Sequence, residues 1–263
     1  MSIFSKLLAT CAAINDKGDD YITPPATELT IKYVPIPVGP GRAQLAEVLK
    51  LLPKPSLDFG PWIAGGAARR LLQGKTFEEG DVDFFFANFS DWQKYVDCMD
   101  EKDIVAKTKQ ANTYCVNGIK IQLIKRKFYK SLDKVFSDFD FSACQVATDG
   151  LEIASSEQAY DDVMNNILRF APKGVIAKHT LVQRMAKYVG HGFIPESGMF
   201  KMIVESGLDY VSAWAIFEGS EAAIYDANDG TTEQVNTTML VEDLNAGVLR
   251  TVARNLGLEI TND

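Results

Sequence analysis

The chain has 263 residues, 46% of them hydrophobic and 24% charged, which is ordinary for a globular protein and excludes wholesale disorder. A net charge of −8 opposes a broad phosphate-binding face, so no extended nucleic-acid surface is expected. The four cysteines, Cys11, Cys98, Cys115 and Cys144, form no CxxC pair, and only two histidines are present, which excludes the usual zinc spacings and a disulfide scaffold and points to free thiols in a reducing compartment.

In chain order, residues 1–14 read as a short helix. Leu8-Ala9-Thr10-Cys11 resembles a lipoprotein cleavage box, but the stretch before it is too short for a charged segment plus an apolar one. No run approaches the roughly 18 apolar residues of a membrane span. A cytoplasmic protein is expected, in the host cytoplasm if the chain is viral, with no membrane partner.

Residues 15–40 carry Pro24, Pro25, Pro35, Pro37 and Pro40, with a weakly alternating edge-strand pattern at 28–34, and read as an arm. Leu45, Val48, Leu49 and Leu52 recur at helical spacing before Pro53. Trp62-Ile63-Ala64 is a short apolar strand ending at Gly65-Gly66, and residues 67–73 favour a helix that Gly74 stops. A polar loop leads to the strand Asp81-Val82-Asp83-Phe84-Phe85-Phe86, and Ser90 can cap a helix over 91–100.

Asn117-Gly118 between residues 113–116 and 119–124 is a strong hairpin signal. Residues 131–136 read as helix and 139–147 as a buried strand ending at Asp149-Gly150. Helical patterns follow at 157–166, 180–189, 198–205, 209–217 and 237–256. Three parts result: residues 1–55 as terminal helix, arm and helix, 56–152 as an α/β head, and 153–263 as an all-helical neck and C-terminal domain.

The chemistry centres on Gly65-Gly66 followed by Asp81-x-Asp83. Glycines at a strand end let a phosphate approach the backbone, and the next helix offers unpaired N–H groups and its positive dipole end. Two acids spaced by two on a strand share one face, where oxygen ligands suit Mg²⁺ and its phosphate-bound substrates. Gly-Gly alone is more often a tight turn, and Asp-x-Asp alone is more often a strand entry. Their order, strand to turn to helix to acidic strand, is the specific feature. The basic residues Lys120, Lys125, Arg126, Lys127 and Lys130 read as a solvated strand end, and Asp161-Asp162 as a solvent-facing helix pair.

Gly65-Gly66-Ala67-Ala68-Arg69-Arg70-Leu71-Leu72-Gln73-Gly74, then Asp81-Val82-Asp83, resembles the head of the tRNA nucleotidyltransferase (CCA-adding) and bacterial poly(A) polymerase family. Phe139-Asp140-Phe141-Ser142-Ala143-Cys144 resembles that family's Arg-Asp-Phe-Thr-Ile-Asn motif, and Arg184-Met185-Ala186-Lys187-Tyr188 its neck helix. The resemblance covers about residues 60–195. It implies an α+β fold, a nucleotidyltransferase-type mixed sheet with flanking helices followed by the helical part.

The resemblance also implies roles. Asp81 and Asp83 would be catalytic and hold metal, Mg²⁺ at a two-metal site. Gly65, Gly66 and Arg69 would hold the triphosphate, Asp140 would contact the nucleotide or couple head to neck, and Arg184 would approach the base or phosphates of the nucleotide. The expected activity is metal-dependent transfer of a nucleotide from an NTP, ATP among them, to a hydroxyl of RNA, a small molecule or a protein, releasing pyrophosphate. The chain departs from the family at Arg70, Phe139 and Gln122, where the family or its wider fold carries Asp, Arg and a third carboxylate. Those departures motivate the alternative: an inactive fold relative serving as a binding or structural subunit of a larger, viral or mobile-element assembly.

Overall fold

The computed structural model of the chain describes residues 21–22, 24, 29–77, 80–174, 176–196, 198–199, 202, 222–226 and 231–235. The elements are β1 (Tyr21–Ile22), β2 (Ile31–Pro35), α1 (Pro40–Leu49), β3 (Trp62–Ala64), α2 (Gly66–Leu72), β4 (Asp81–Phe85), α3 (Phe89–Asp97), β5 (Ile104–Lys107), β6 (Ala111–Val116) and β7 (Ile119–Ile124). They continue with α4 (Leu132–Phe136), β8 (Val146–Thr148), β9 (Glu152–Ser156), α5 (Glu157–Asn165), β10 (Ile167–Leu168), β11 (Ile176–Ala177), α6 (Lys178–Gly190), β12 (Ile194–Pro195), β13 (Ala222–Asp226) and β14 (Thr231–Val235). The fold class is α+β. Backbone contacts divide the chain into two units, residues 26–165 with 171–174, and residues 1–25, 166–170 and 175–263.

The first unit is built on one eight-stranded sheet in the order β2-β9-β8-β3-β4-β7-β6-β5. Of its neighbouring pairs, only β4 with β7 is parallel. Alternation along the strands sorts the side chains onto two faces. One face carries Trp62, Ala64, Phe85, Ala147 and Ala154, which pack with Leu132, Val135 and Phe136 of α4. The opposite face carries Ile63, Val82, Phe84, Ile121 and Leu123, none of them exposed. Tyr95 of α3 packs there against Phe84 and Phe86, and Trp92 Nε1 donates to Leu123 O at 3.3 Å.

Several elements form where their chemistry directs. At the β6–β7 turn, Asn117 and Gly118 both take positive φ (52° and 79°), the conformation a two-residue hairpin turn needs to match strand twist. Helix α3 starts earlier than expected. Its cap is Asn88, whose side chain accepts from Asp91 N at 2.9 Å, not Ser90. Residues 139–147 are not one strand: Ser142–Cys144 is a 3-10 turn, and only Val146–Thr148 joins the sheet. The segment read as an arm supplies β2, which is the sheet's edge strand, paired antiparallel with β9.

In the second unit, α6 buries Leu181, Met185 and Tyr188 along one side. Short pairs link β1 with β11 and β10 with β12. The all-helical expectation holds for α6 but not for β13 and β14, an antiparallel hairpin with Ala222 opposite Val235. The expected helices at 1–14, 209–217 and 237–256 lie outside the described residues, as does Cys11. Among the described residues, no helix is long and apolar enough to cross a membrane, and Cys98, Cys115 and Cys144 are free thiols.

Candidate functional site

Strand β4 alternates half-buried Asp81 and Asp83 with fully buried Val82 and Phe84. Both carboxylates therefore emerge on the face that Phe85 shares, and α4 covers that face only further along the sheet. The parallel register with β7 sets Lys120 beside Asp81 and Gln122 beside Asp83. Lys120 is exposed. Gln122 Nε2 donates to Asp81 Oδ2 at 2.6 Å. The position expected for a third carboxylate thus holds an amide that engages one of the acids. Among the described residues, no three His, Cys, Asp or Glu side chains gather as a metal-binding group; the acids are a pair.

The glycine turn borders this pair. On β3, Ile63 pairs with Phe84, so the chain leaves the sheet at Gly65 next to the Asp81–Asp83 half of β4. Gly65 takes φ 83° and ψ −133°, a region that a side chain resists. Its N–H donates to Val146 O at 2.9 Å and its carbonyl accepts from Arg69 N at 3.0 Å. The amides of Gly66, Ala67 and Ala68 precede that first intrahelical donor, so the helix gives them no acceptor. Apart from its chain neighbours and the α2 backbone, no heavy atom lies within 4 Å of where a Gly66 side chain would begin. The space above Gly66 is open, whereas Gly65 is covered: the Phe139 ring lies 3.5 Å from where its side chain would begin. Phe139 also meets Phe85 edge-on, with centroids 5.7 Å apart.

The remaining expected residues are placed differently. Arg69 is buried at 5% exposure, inside the fold and not at its surface. Arg70 is half-buried and reaches the loop before β4, with Nη1 donating to Thr76 O at 3.5 Å. Asp140 is buried. Its Oδ1 accepts from Phe141 N at 3.0 Å and its carbonyl from Ala171 N at 2.8 Å, so it braces the turn into Ser142–Cys144. Arg184 lies on α6, in the other unit. Asp81, Asp83, Gly65 and Gly66 are thus brought together.

The expectation for Asp161-Asp162 is half corrected. Asp161 is exposed, but Asp162 is buried and accepts from Ser142 Oγ at 2.6 Å and Gln158 Nε2 at 3.0 Å. The signal was in the sequence: Ala159, Asp162 and Val163 share one helical side. Gln122 and Phe139 are the two residues at the site whose contacts sequence reasoning missed. Where α4 covers this face, Tyr129 donates to Asp138 Oδ2 at 2.7 Å; burial first, and then that carboxylate, raise its phenol above the usual range.

A model of the family described as Gabija anti-defense 2 family protein matches residues 43–165. That span contains the glycine turn, the acid pair, Gln122, Phe139 and Asp140, and not Arg184. A protein of Bacillus phage SPbetaL7, "Gabija anti-defense 2", is 33% identical over 89 residues, covering 33% of this chain and 22% of that relative. Among solved structures, the chain is similar to a CCA-adding enzyme with ATP, at 16% identity and a TM-score of 0.46, over 67% of this chain and 46% of that one. It is also similar to the Thermotoga maritima CCA-adding enzyme complexed with tRNA, at 14% identity and a TM-score of 0.46, over 71% and 47% of the two chains. The chain spans less than half the length of each of these relatives.

Proposed function

We propose that the chain is a metal-dependent nucleotidyltransferase that a phage deploys against Gabija defence. The acceptor hydroxyl attacks the α-phosphorus of an NTP and loses its proton to solvent, a new phosphodiester-type bond forms, the α–β bridge breaks and pyrophosphate leaves. The observation that carries this reading is the pairing of Asp81 and Asp83 on one accessible face beside the open Gly66 turn. The likeness to an anti-defense family over the same residues supports the biological setting.

Two carboxylates with a neighbouring amide carbonyl are hard oxygen donors, and Mg²⁺ takes only one or two protein carboxylates when substrate phosphates complete its shell. Asp81 and Asp83 would hold it, and the ion supplies charge neutralisation for the triphosphate. The open turn at Gly66 admits phosphate oxygens to the first amides of α2. Phe139 presents an aromatic wall over Gly65, where a nucleobase or ribose packs favourably.

The test uses purified protein with each NTP labelled at the α-phosphate, Mg²⁺, and either RNA or a protein extract as acceptor. Label transfer is expected for wild type, with Asp81→Asn and Asp83→Asn each losing about a hundredfold or more, the scale of removing an electrostatic stabiliser. The same variants are then expressed in bacteria that carry Gabija, and phage plating is scored. A second reading rests on the Gln122 amide, which occupies one oxygen of Asp81. In it the fold is a non-catalytic binder. Anti-defence that survives both Asn variants, with no label transfer by wild type, would replace the first reading with the second.

A further inference from the structure

We infer that the end of the sheet opposite the acid pair carries a docking surface for single-stranded nucleic acid. The inference does not depend on the catalytic reading, because neither Asp81 nor Asp83 takes part. Residues 104–132 contain seven Lys or Arg and no Asp or Glu, in a chain of 27 basic and 35 acidic residues. Lys120 lies beside Asp81; the other six lie at the end of β5, in the turn to β6 and after β7, and form the basic end away from the acids.

Aromatic rings stand among those charges. Strand β4 starts at Asp81 and ends at Phe85, a run of roughly 13 Å at the usual strand rise. Beyond it Phe89 opens α3 with 61% of its surface exposed. Its ring lies on Trp92, with centroids 5.4 Å apart, and meets Phe128 edge-on at 6.4 Å. Lys125 Nζ stands 5.6 Å from the Trp92 ring centre and 3.0 Å from Asn112 Oδ1. Arg126, Lys127 and Lys130 are exposed around the same segment. One carboxylate, Asp138, faces two of these cations, Lys127 at 2.6 Å and Arg126 at 3.8 Å. On α3, Lys94 is paired with Asp91. The cations still outnumber the acids.

One exposed ring, Phe89, backed by buried Trp92 and half-buried Phe128 and flanked by lysines, presents two complementary surfaces: a platform for an unstacked base and charges for the phosphates on either side. A duplex keeps its bases stacked inside and would use only the charges. An acidic protein segment would likewise use the charges and gain nothing specific from a face of Phe89. The net charge of −8 opposes an extended phosphate track, and this surface is short, suited to a few nucleotides.

The experiment is fluorescence anisotropy of the full chain with labelled single-stranded oligonucleotides of about 20 thymidines or uridines, longer than the roughly 4–16-nucleotide sites of compact single-strand binders, so that the surface can be fully occupied. Affinity is expected to fall with salt, with a log–log slope of roughly −2 to −3 for three or four neutralised phosphates. Phe89→Ala should weaken binding about tenfold, within the range for losing one stacked base, and Phe89→Trp should retain it. Lys125→Glu with Lys130→Glu should weaken binding and flatten the salt slope. Leu151→Ala, an exposed position in the β8–β9 turn, should bind as wild type does. Because Phe89 is exposed, its substitution leaves folding intact, which circular dichroism checks. The inference is overturned by absence of binding at low salt, by binding indifferent to Phe89→Ala, or by displacement with polyglutamate as effective as with unlabelled oligonucleotide.

Discussion

Gly65 and Gly66 adjoin in sequence and do different work. Gly65 sits where a side chain strains the backbone, and the nearest atoms to an added carbon, those of Phe139, are at an ordinary 3.5 Å. The cost of Gly65→Ala is thus conformational, about 1–3 kcal/mol, and should appear as a lower urea midpoint with an unchanged slope. Gly66 lies within α2 with open space beside it, so Gly66→Ala should leave the midpoint unchanged or raise it slightly. Its methyl group would enter the space where phosphate oxygens approach, so nucleotide affinity, measured calorimetrically with Mg-ATP, should drop severalfold. Equal affinity for wild type and Gly66→Ala would remove the turn from the binding site. A loss of affinity for Gly65→Ala alone, tracking its stability, would mean that the turn is only structural.

At the scale of elements, helix α3 depends on its first turn. Asn88 caps Asp91 N and its amide donates to Asp91 Oδ2 at 2.8 Å, while Lys94 pairs with Asp91 Oδ1 at 2.8 Å. Asn88→Ala should cost about 1 kcal/mol, the usual value of a lost cap. The Lys94 contact, foremost, and Asn88 hold the Asp91 carboxyl below its ordinary value against the opposing effect of burial. A lowered folded value gives stability that is present above the unfolded value, about 4, and lost as pH falls through the folded one. Asp91→Asn should therefore be less stable than wild type near neutral pH, with the gap closing as urea midpoints are taken toward about pH 2. A gap that stays constant with pH would assign the effect to packing.

The same helix illustrates what the sequence made legible. That α3 exists follows from its pattern; that Asn88 and not Ser90 starts it depends on where β4 releases the chain. Local signals such as the Asn117-Gly118 turn, the Gly65 turn and the period-two acids needed only neighbouring residues. Strand β2 shows in the sequence only as a weak edge-strand pattern within an arm, because its alternation is faint and its partner β9 is more than a hundred residues away. Strand β9 itself ends in Ala154, Ser155 and Ser156, small residues with little strand preference. Likewise Asp81 and Asp83 could be set on one face from spacing alone, but not Gln122 against Asp81 or Phe139 over Gly65. Those contacts come from the β4–β7 register and the path after α4, both fixed by packing across the whole unit.

Across the unit with the large sheet, burial is unevenly spread, and the candidate site borders the fully buried strand β3. Strand β3 has no exposed residue, and Trp62 packs with α4 while its Nε1 donates to Leu57 O at 2.8 Å. At the far edge, β5 breaks register between Ile104 and Ala106 and leaves Val105 57% exposed; Lys107 and Lys109 beside it discourage pairing with another chain. Hydrogen exchange followed by mass spectrometry should find the amides of β3, β4 and β8 opening only with global unfolding and those of β5 opening earlier. Trp62→Ala should cost about 3–5 kcal/mol, a large part of the roughly 5–15 kcal/mol that holds a typical domain, and should bring the slowest amides toward the rate of β5. Val105→Ala should leave the β3 and β4 amides unchanged. Because β3 delivers the glycine turn and β4 the acids, nucleotide binding should fall with Trp62→Ala and survive Val105→Ala. Fast exchange of β4 in the wild-type protein would instead mean that the acid pair stands on a locally opening strand.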